Sequence, residues 1–283
     1  MEITRVAVIG AGTMGRGIAQ VAALAGFPVT LIDRDQHILD DAVEAIRASL
    51  ARAVERGEFS EEDADVAASL IGADLDLDAA ADSSLVIESI NEDPAAKRDL
   101  LARLDELCPA EAIFASNTSS ISITSLAAAT ERPAAVVGLH FFNPVPAMKL
   151  VEVVRGLLTS DETHRAVVRF VEALGKTPVT VADSPGFVSN RVLLPMINEA
   201  AFCLMEGIAS AEEIDTVMRL GMNHPMGPLA LADLIGLDVC LDILEVLQRE
   251  LGEPKYRPCP LLRKLVAAGR LGRKSGEGFF RYA

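Results

Sequence analysis

Six residues near the N-terminus, Gly10-Ala11-Gly12-Thr13-Met14-Gly15, have the types and spacing that cradle a pyrophosphate. In this pattern Gly10 permits a tight turn, Gly12 lets the backbone approach the ligand, and Gly15 lets a helix pack close against a strand. The motif follows an apolar run, Arg5 to Ile9, and opens a helical pattern, so unpaired amides at a helix N-terminus face the phosphates. Asp33 stands eighteen residues after Gly15, at the end of a second apolar run, Val29 to Ile32. A carboxylate there accepts from two adenosine ribose hydroxyls and repels a 2′-phosphate. The expected cofactor is therefore NAD; Arg34, the next residue, leaves NADP as the alternative.

A dinucleotide-dependent oxidation of an alcohol also needs a group that takes a proton, and there are four histidines. His37 and His164 sit in helical patterns among charged residues, and His224 lies in a Gly- and Pro-rich turn. His140 differs, because it ends the apolar run Val136 to Leu139, where open α/β sheets place their ligands. Twelve residues on, Glu152 is flanked by Leu150-Val151 and Val153-Val154. An acid inside such a run either points to solvent by alternation or pairs with a buried partner, since burying it alone is costly.

The elements that must position these residues are legible in outline. Strands are predicted at Arg5–Ile9, Val29–Ile32, Ser84–Ile87, Ala112–Ala115, Ala135–Gly138 and Thr177–Val181. Helices are predicted between them at Met14–Ala25, Ile38–Glu55, Pro94–Leu107 and Asp161–Leu174. This alternation implies a Rossmann-type α/β domain, a doubly wound and mostly parallel sheet, over residues 1–183. Past Asp183 the strand signals stop, and Pro185–Gly207, Ala211–Leu220, Leu229–Arg249 and Leu261–Ala268 read as helices. An all-helical domain over 184–283 follows. Phe187–Leu204 and Leu229–Leu247 are apolar on more than one face, which fits either the middle of a bundle or a face covered by a second subunit.

Composition narrows the partners. The 283 residues carry 26 Lys+Arg against 41 Asp+Glu, a net charge of −15, which disfavours nucleic acid and anionic membrane surfaces. No apolar run approaches the length of a membrane span, and the first nine residues read as a strand rather than a signal peptide. Cys108, Cys203, Cys240 and Cys259 form neither a zinc pattern nor a disulfide framework, and no metal site is expected. They read as reduced thiols of a cytoplasmic protein. Charge is uneven: residues 191–249 hold nine acids and three bases, residues 250–283 eight bases and three acids. A basic tail on an acidic chain reads as a solvated segment or as part of a site for a phosphate-bearing ligand.

Three further stretches carry a resemblance: Ala115-Ser116-Asn117-Thr118-Ser119-Ser120, His140 to Glu152, and Pro185-Gly186-Phe187-Val188-Ser189-Asn190-Arg191. With the tail Gly276 to Phe280 and the glycine motif, they closely resemble the L-3-hydroxyacyl-CoA dehydrogenase family, from residue 3 to the C-terminus. The length matches the stand-alone short-chain type. The resemblance implies a catalytic pair His140 and Glu152, with Ser119 and Asn190 contacting substrate and transition state and Asn143 orienting the acyl group or nicotinamide. It implies that Glu92, Lys97, Ser119, Asn143 and Lys274 add to the cofactor contacts, and that Ser49 and Arg56 contact substrate. The family has Lys where Arg56 stands. Reversible NAD(H)-dependent oxidation of a short-chain (S)-3-hydroxyacyl-CoA, in a homodimer built on the helical domain, is the implied activity. The competing readings are a dehydrogenase of a free hydroxy acid or sugar acid, of the L-gulonate 3-dehydrogenase type, and a non-enzymatic nucleotide-binding protein like the related lens crystallins.

Overall fold

A computed structural model describes residues 1–282 of the chain. Its contacts fall into two compact units, Met1–Ser184 and Pro185–Ala283. The first contains β1 (Val6–Ile9), α1 (Thr13–Leu24), β2 (Val29–Ile32), α2 (Gln36–Glu55), α3 (Glu61–Ser69), β3 (Ile71–Asp74), β4 (Leu85–Glu88) and α4 (Pro94–Leu107). It continues with β5 (Ile113–Ser116), α5 (Ile123–Ala127), β6 (Val136–Phe141), β7 (Leu150–Arg155), α6 (Asp161–Ala173) and β8 (Thr177–Ala182). The eight strands form one sheet in the order β3-β2-β1-β4-β5-β6-β7-β8. Neighbours from β3 through β6 are parallel, β6 and β7 are antiparallel, and β7 and β8 are parallel. The strand order reverses between β1 and β4, the switch point at which such sheets open a ligand crevice.

The central strands are covered on both faces, so every residue of β1, β4 and β5 is buried. On one face Ile18, Leu39, Ile46, Val167 and Phe170, from α1, α2 and α6, join Val6, Val8, Leu31 and Ile87 in a single core. On the other, α5 lies so near that a Cβ on Gly138 would fall 2.9 Å from Ile123 Cδ1. Helix starts are chemically marked. Asp93 accepts from Ala95 N and Ala96 N ahead of Pro94, and Ser60 and Asp63 make a reciprocal capping box at α3.

Four elements of this unit were not among the expected strands and helices: α3, β3, α5 and β7. The capping pattern Ser60-Glu61-Glu62-Asp63 marks α3 in the sequence; β3 has no such mark. Its four residues, Ile71-Gly72-Ala73-Asp74, are mostly exposed and form an edge strand only by pairing with β2.

The second unit contains α7 (Ser189–Met205), α8 (Ala211–Gly221), α9 (Pro228–Ile235), α10 (Leu237–Leu251) and α11 (Pro260–Ala267). Its own core gathers Leu194, Ile197, Leu229, Leu237, Leu244, Leu247 and Leu262. The single helix expected over Leu229–Arg249 is two. Gly236 breaks it at φ +106, where Leu237 N turns to donate to Leu271 O at 3.1 Å. The expected helix from Pro185 begins only at Ser189, because Gly186 and Phe187 both have positive φ.

Candidate active site

The glycine turn is built as its spacing requires. Gly10 has φ +99 and no room for a Cβ, which would lie 2.6 Å from Ser89 O. At Gly15 a Cβ would fall 1.7 Å from Gly10 O, so α1 and the turn touch backbone to backbone. At Gly12 there is nothing within 4 Å, and no side chain caps the helix there. Gly12 and Thr13 are exposed, leaving space and a helix N-terminus for an anionic ligand; Met14 packs against the core. Ala11 does something else. Its amide donates to Asp33 Oδ2 at 2.8 Å and its side chain is buried, so it fixes the acid instead of reaching a phosphate. Asp35 N donates to the other oxygen of Asp33 at 3.2 Å. The set fits an NAD adenosine: a shaped turn, a free-space cradle and an oriented, half-buried carboxylate.

The register of β6 and β7 sets His140 directly opposite Glu152. Facing residues of an antiparallel pair project to the same side, and His140 Nδ1 lies 2.8 Å from Glu152 Oε2. Of the two positions open to an acid in an apolar run, Glu152 takes the paired one: it is 2% exposed and His140 8%. A carboxylate only accepts, so Nδ1 carries the proton in this bond and the tautomer is fixed by it. The Phe142 ring flanks the imidazole with centroids 4.7 Å apart.

Ser119 lies in the loop after β5, beside the end of β6. Two clamps hold this loop. Asn117 Oδ1 accepts from Phe141 N at 3.0 Å, tying the loop to the strand that carries His140. Glu92 Oε1 accepts from Thr118 Oγ1, from Ser119 N at 3.0 Å and from Ser120 Oγ at 3.3 Å. Lys97, expected as a cofactor contact, is 1% exposed; its ammonium lies 2.5 Å from Glu88 Oε1 and 3.2 Å from Glu92 Oε2. It therefore stands behind Glu92 as a support. Asn117 and Glu88 were not singled out in the sequence, although Asn117 lies within a stretch that carries the resemblance.

Asn143 is exposed in the loop between β6 and β7. That loop is pinned by Lys176, a buried lysine whose Nζ donates to Val145 O and Met148 O, both at 2.6 Å. Burial pushes this amine below its ordinary range. Ser49 on α2 and Arg56 at its C-cap lie seven residues apart, about two turns, and so share a face. Arg56 is engaged by its neighbour: Nε lies 2.6 Å from Glu58 Oε1 and the second oxygen completes a fork at 3.1 Å.

Asn190 stands at the first turn of α7 in the helical unit. Four of the eight bases of the tail are answered by acids, so the free positive field is about half of what the linear count implies. Lys274 is 2.6 Å from Asp238, Arg263 is bonded to Glu245, and Arg270 and Arg281 share Glu277 at 3.5 and 3.0 Å. The uneven charge of the two segments is thus partly resolved within the helical unit, where acids of residues 191–249 meet bases of the tail.

Two family descriptions match the two units: 3-hydroxyacyl-CoA dehydrogenase, NAD binding domain, over residues 5–184, and 3-hydroxyacyl-CoA dehydrogenase, C-terminal domain, over residues 186–282. The probable 3-hydroxybutyryl-CoA dehydrogenase of Bacillus subtilis is 55% identical over 282 residues, covering 100% of this chain and 98% of the relative. The mitochondrial hydroxyacyl-coenzyme A dehydrogenase of Homo sapiens is 45% identical, covering 99% and 91%. The crystal structure of the (S)-3-hydroxybutyryl-CoA dehydrogenase of Ralstonia eutropha has a TM-score of 0.97 at 49% identity, with both chains covered in full. Both units, the nucleotide turn and the matched length agree, and the chain belongs to the 3-hydroxyacyl-CoA dehydrogenase family.

Proposed function

We propose that this chain interconverts (S)-3-hydroxybutyryl-CoA and acetoacetyl-CoA with NAD(H). The observation that carries the reading is the buried His140–Glu152 pair at the end of β6, in the unit that matches an NAD binding domain. Bound NAD would supply the hydride acceptor. His140 takes the hydroxyl proton as the C3 alcohol becomes a ketone, and returns it in the reverse direction. Glu152, fixed on Nδ1, leaves Nε2 as the atom that moves the proton and stabilises the imidazolium that forms. Ser119, Asn143 and Asn190 carry the substrate contacts implied by their motifs. Glu92 faces the cofactor with Lys97 behind it.

The test is NADH oxidation with acetoacetyl-CoA, set beside its C6 to C10 homologues and free acetoacetate. Fastest turnover of the C4 thioester supports the reading, whereas equal turnover of free acetoacetate moves the assignment to a free-acid dehydrogenase. Four free cysteines, three of them buried, favour a reducing compartment such as the cytoplasm. None of the helices among the described residues is long and apolar enough to cross a membrane.

Asp33 sets the cofactor preference. NAD(H) should exceed NADP(H) in kcat/KM by at least about tenfold, since a half-buried charge clash is worth more than roughly 1.4 kcal/mol. Asp33→Ala should narrow that gap, and equal efficiencies in the parent would remove the assignment.

A CoA ester is strongly anionic and needs a local positive field on a chain of net charge −15. Because Glu58 occupies the Arg56 fork, Glu58→Gln should lower KM for acetoacetyl-CoA and Arg56→Ala should raise it. Each change should be roughly two- to fivefold with kcat little altered, as expected for exposed contacts that act on uniform binding. Added salt should raise the parent's KM. A KM indifferent to all three would take Arg56 out of the substrate path.

Assembly follows from the helical unit's surface. Val192, Ile208, Val217, Leu220 and Met222 are each at least 60% exposed, apolar side chains that gain from being covered. These side chains favour a homodimer through this unit. Sedimentation equilibrium at micromolar concentration should give twice the 30.1 kDa chain mass; a monomer would count against it.

A further inference from the structure

Glu88 has no part in the reaction as described, yet both of its carboxylate oxygens are held by donors. It is fully buried at the end of β4. Oε1 accepts from Lys97 Nζ at 2.5 Å and from Ile90 N at 2.8 Å, and Oε2 accepts from Ser116 Oγ at 2.5 Å. Lys97 Nζ also donates to Ile90 O at 3.2 Å and forms an ion pair with Glu92 Oε2 at 3.2 Å. Two carboxylates therefore share one ammonium. The sum over the three groups is a single negative charge, and Glu92 is the only member that reaches solvent, with its side chain 39% exposed.

We propose that Glu88 is a positioning residue that absorbs the charge of Lys97, so that Glu92 keeps its own negative charge on the Ser119 loop. Without Glu88 the same ammonium would neutralise Glu92 alone and draw it off the Thr118, Ser119 and Ser120 donors. A fixed negative charge at this end of β4 favours the cationic, oxidised nicotinamide over the neutral, reduced one. Glu88 thus biases the ratio of NAD⁺ to NADH affinity, and with it the poise of the bound cofactor. This rests on the NAD-dependent reading of the site.

The experiment compares Kd for NAD⁺ and for NADH, the latter by its own fluorescence, in the parent and in Glu88→Gln. Glutamine keeps the size and the acceptor oxygen but removes the charge, and Ser116 Oγ can reverse to accept from the amide. The ratio Kd(NAD⁺)/Kd(NADH) should rise roughly 5- to 30-fold, the range expected for one unit charge at partly screened distances. In the double variant Glu88→Gln/Lys97→Met the cluster again sums to one negative charge, and the ratio should return to within about threefold of the parent, the residual allowing for altered packing. A merely structural role for Glu88 predicts the opposite, because the double variant loses more contacts than the single one. Where Glu88→Gln fails to fold, Glu92→Gln removes the same charge from the surface side and should raise the ratio likewise. A folded Glu88→Gln with an unchanged ratio, or a double variant that stays shifted, overturns the inference. A parent that binds neither cofactor overturns the NAD-dependent reading itself, an outcome distinct from a parent that binds both with a charge-insensitive ratio.

Discussion

His140→Ala is expected to lower kcat for acetoacetyl-CoA reduction by roughly 10² to 10⁴, the range that a positioned acid–base group contributes. NADH affinity should stay nearly unaltered, because the cofactor turn lies on β1 and α1 while the imidazole is held by β7. The loss falls on kcat and kcat/KM together, the signature of an interaction made in the transition state. Glu152→Gln probes the other half of the pair. A glutamine presents an amide NH₂ or a carbonyl to Nδ1, and neither supports an imidazolium as a carboxylate 2.8 Å away does. Its effect should be large but smaller than that of the histidine. Structural damage is separable: Glu152 and His140 are both buried, so the thermal midpoint and the NADH Kd of each variant must be measured beside kcat. A His140→Ala enzyme with native cofactor binding and half the parent's turnover would place proton transfer elsewhere.

The second large effect comes from contrasting two glycines three residues apart. Gly15→Ala places a Cβ 1.7 Å from Gly10 O, a backbone atom with no flexible end to swing away. The helix must lift from the turn, at a cost of several kcal/mol, about what severe overpacking exacts. The thermal midpoint should fall by several degrees or more and NAD binding should be lost with it. Gly12→Ala meets nothing within 4 Å of its added carbon. That variant should fold with an unaltered midpoint, yet bind NAD at least about tenfold more weakly, because the methyl enters the space kept for the pyrophosphate. If Gly12→Ala bound NAD normally, the cradle would lie elsewhere on the turn. If Gly15→Ala melted like the parent, the backbone contact would not be what holds α1 in place.

The nucleotide half of this protein was legible in its residues in considerable detail. Runs such as Val6-Ala7-Val8-Ile9 and Leu85-Val86-Ile87 lack polar alternation because both faces of the sheet are covered, and Gly10 and Gly15 stand where backbone contacts allow no Cβ. The resemblance to the hydroxyacyl-CoA dehydrogenases was legible in three short stretches and was confirmed by relatives matched along the whole chain. Tertiary structure decided what depended on partners distant in sequence. Whether Glu152 faced water or a buried group turned on the β6–β7 register, which sets it against His140. The edge strand β3 exists because β2 offers it a ladder, and the break at Gly236 because Leu271 offers an acceptor outside the helix. Charge was the hardest to read. A linear count gave the tail a surplus of bases and Arg56 a free guanidinium, but a charge's reach depends on its neighbours in space. Asp238, Glu245 and Glu277 answer four of the eight tail bases, Glu58 answers Arg56, and Lys97 is answered beneath the surface by Glu88.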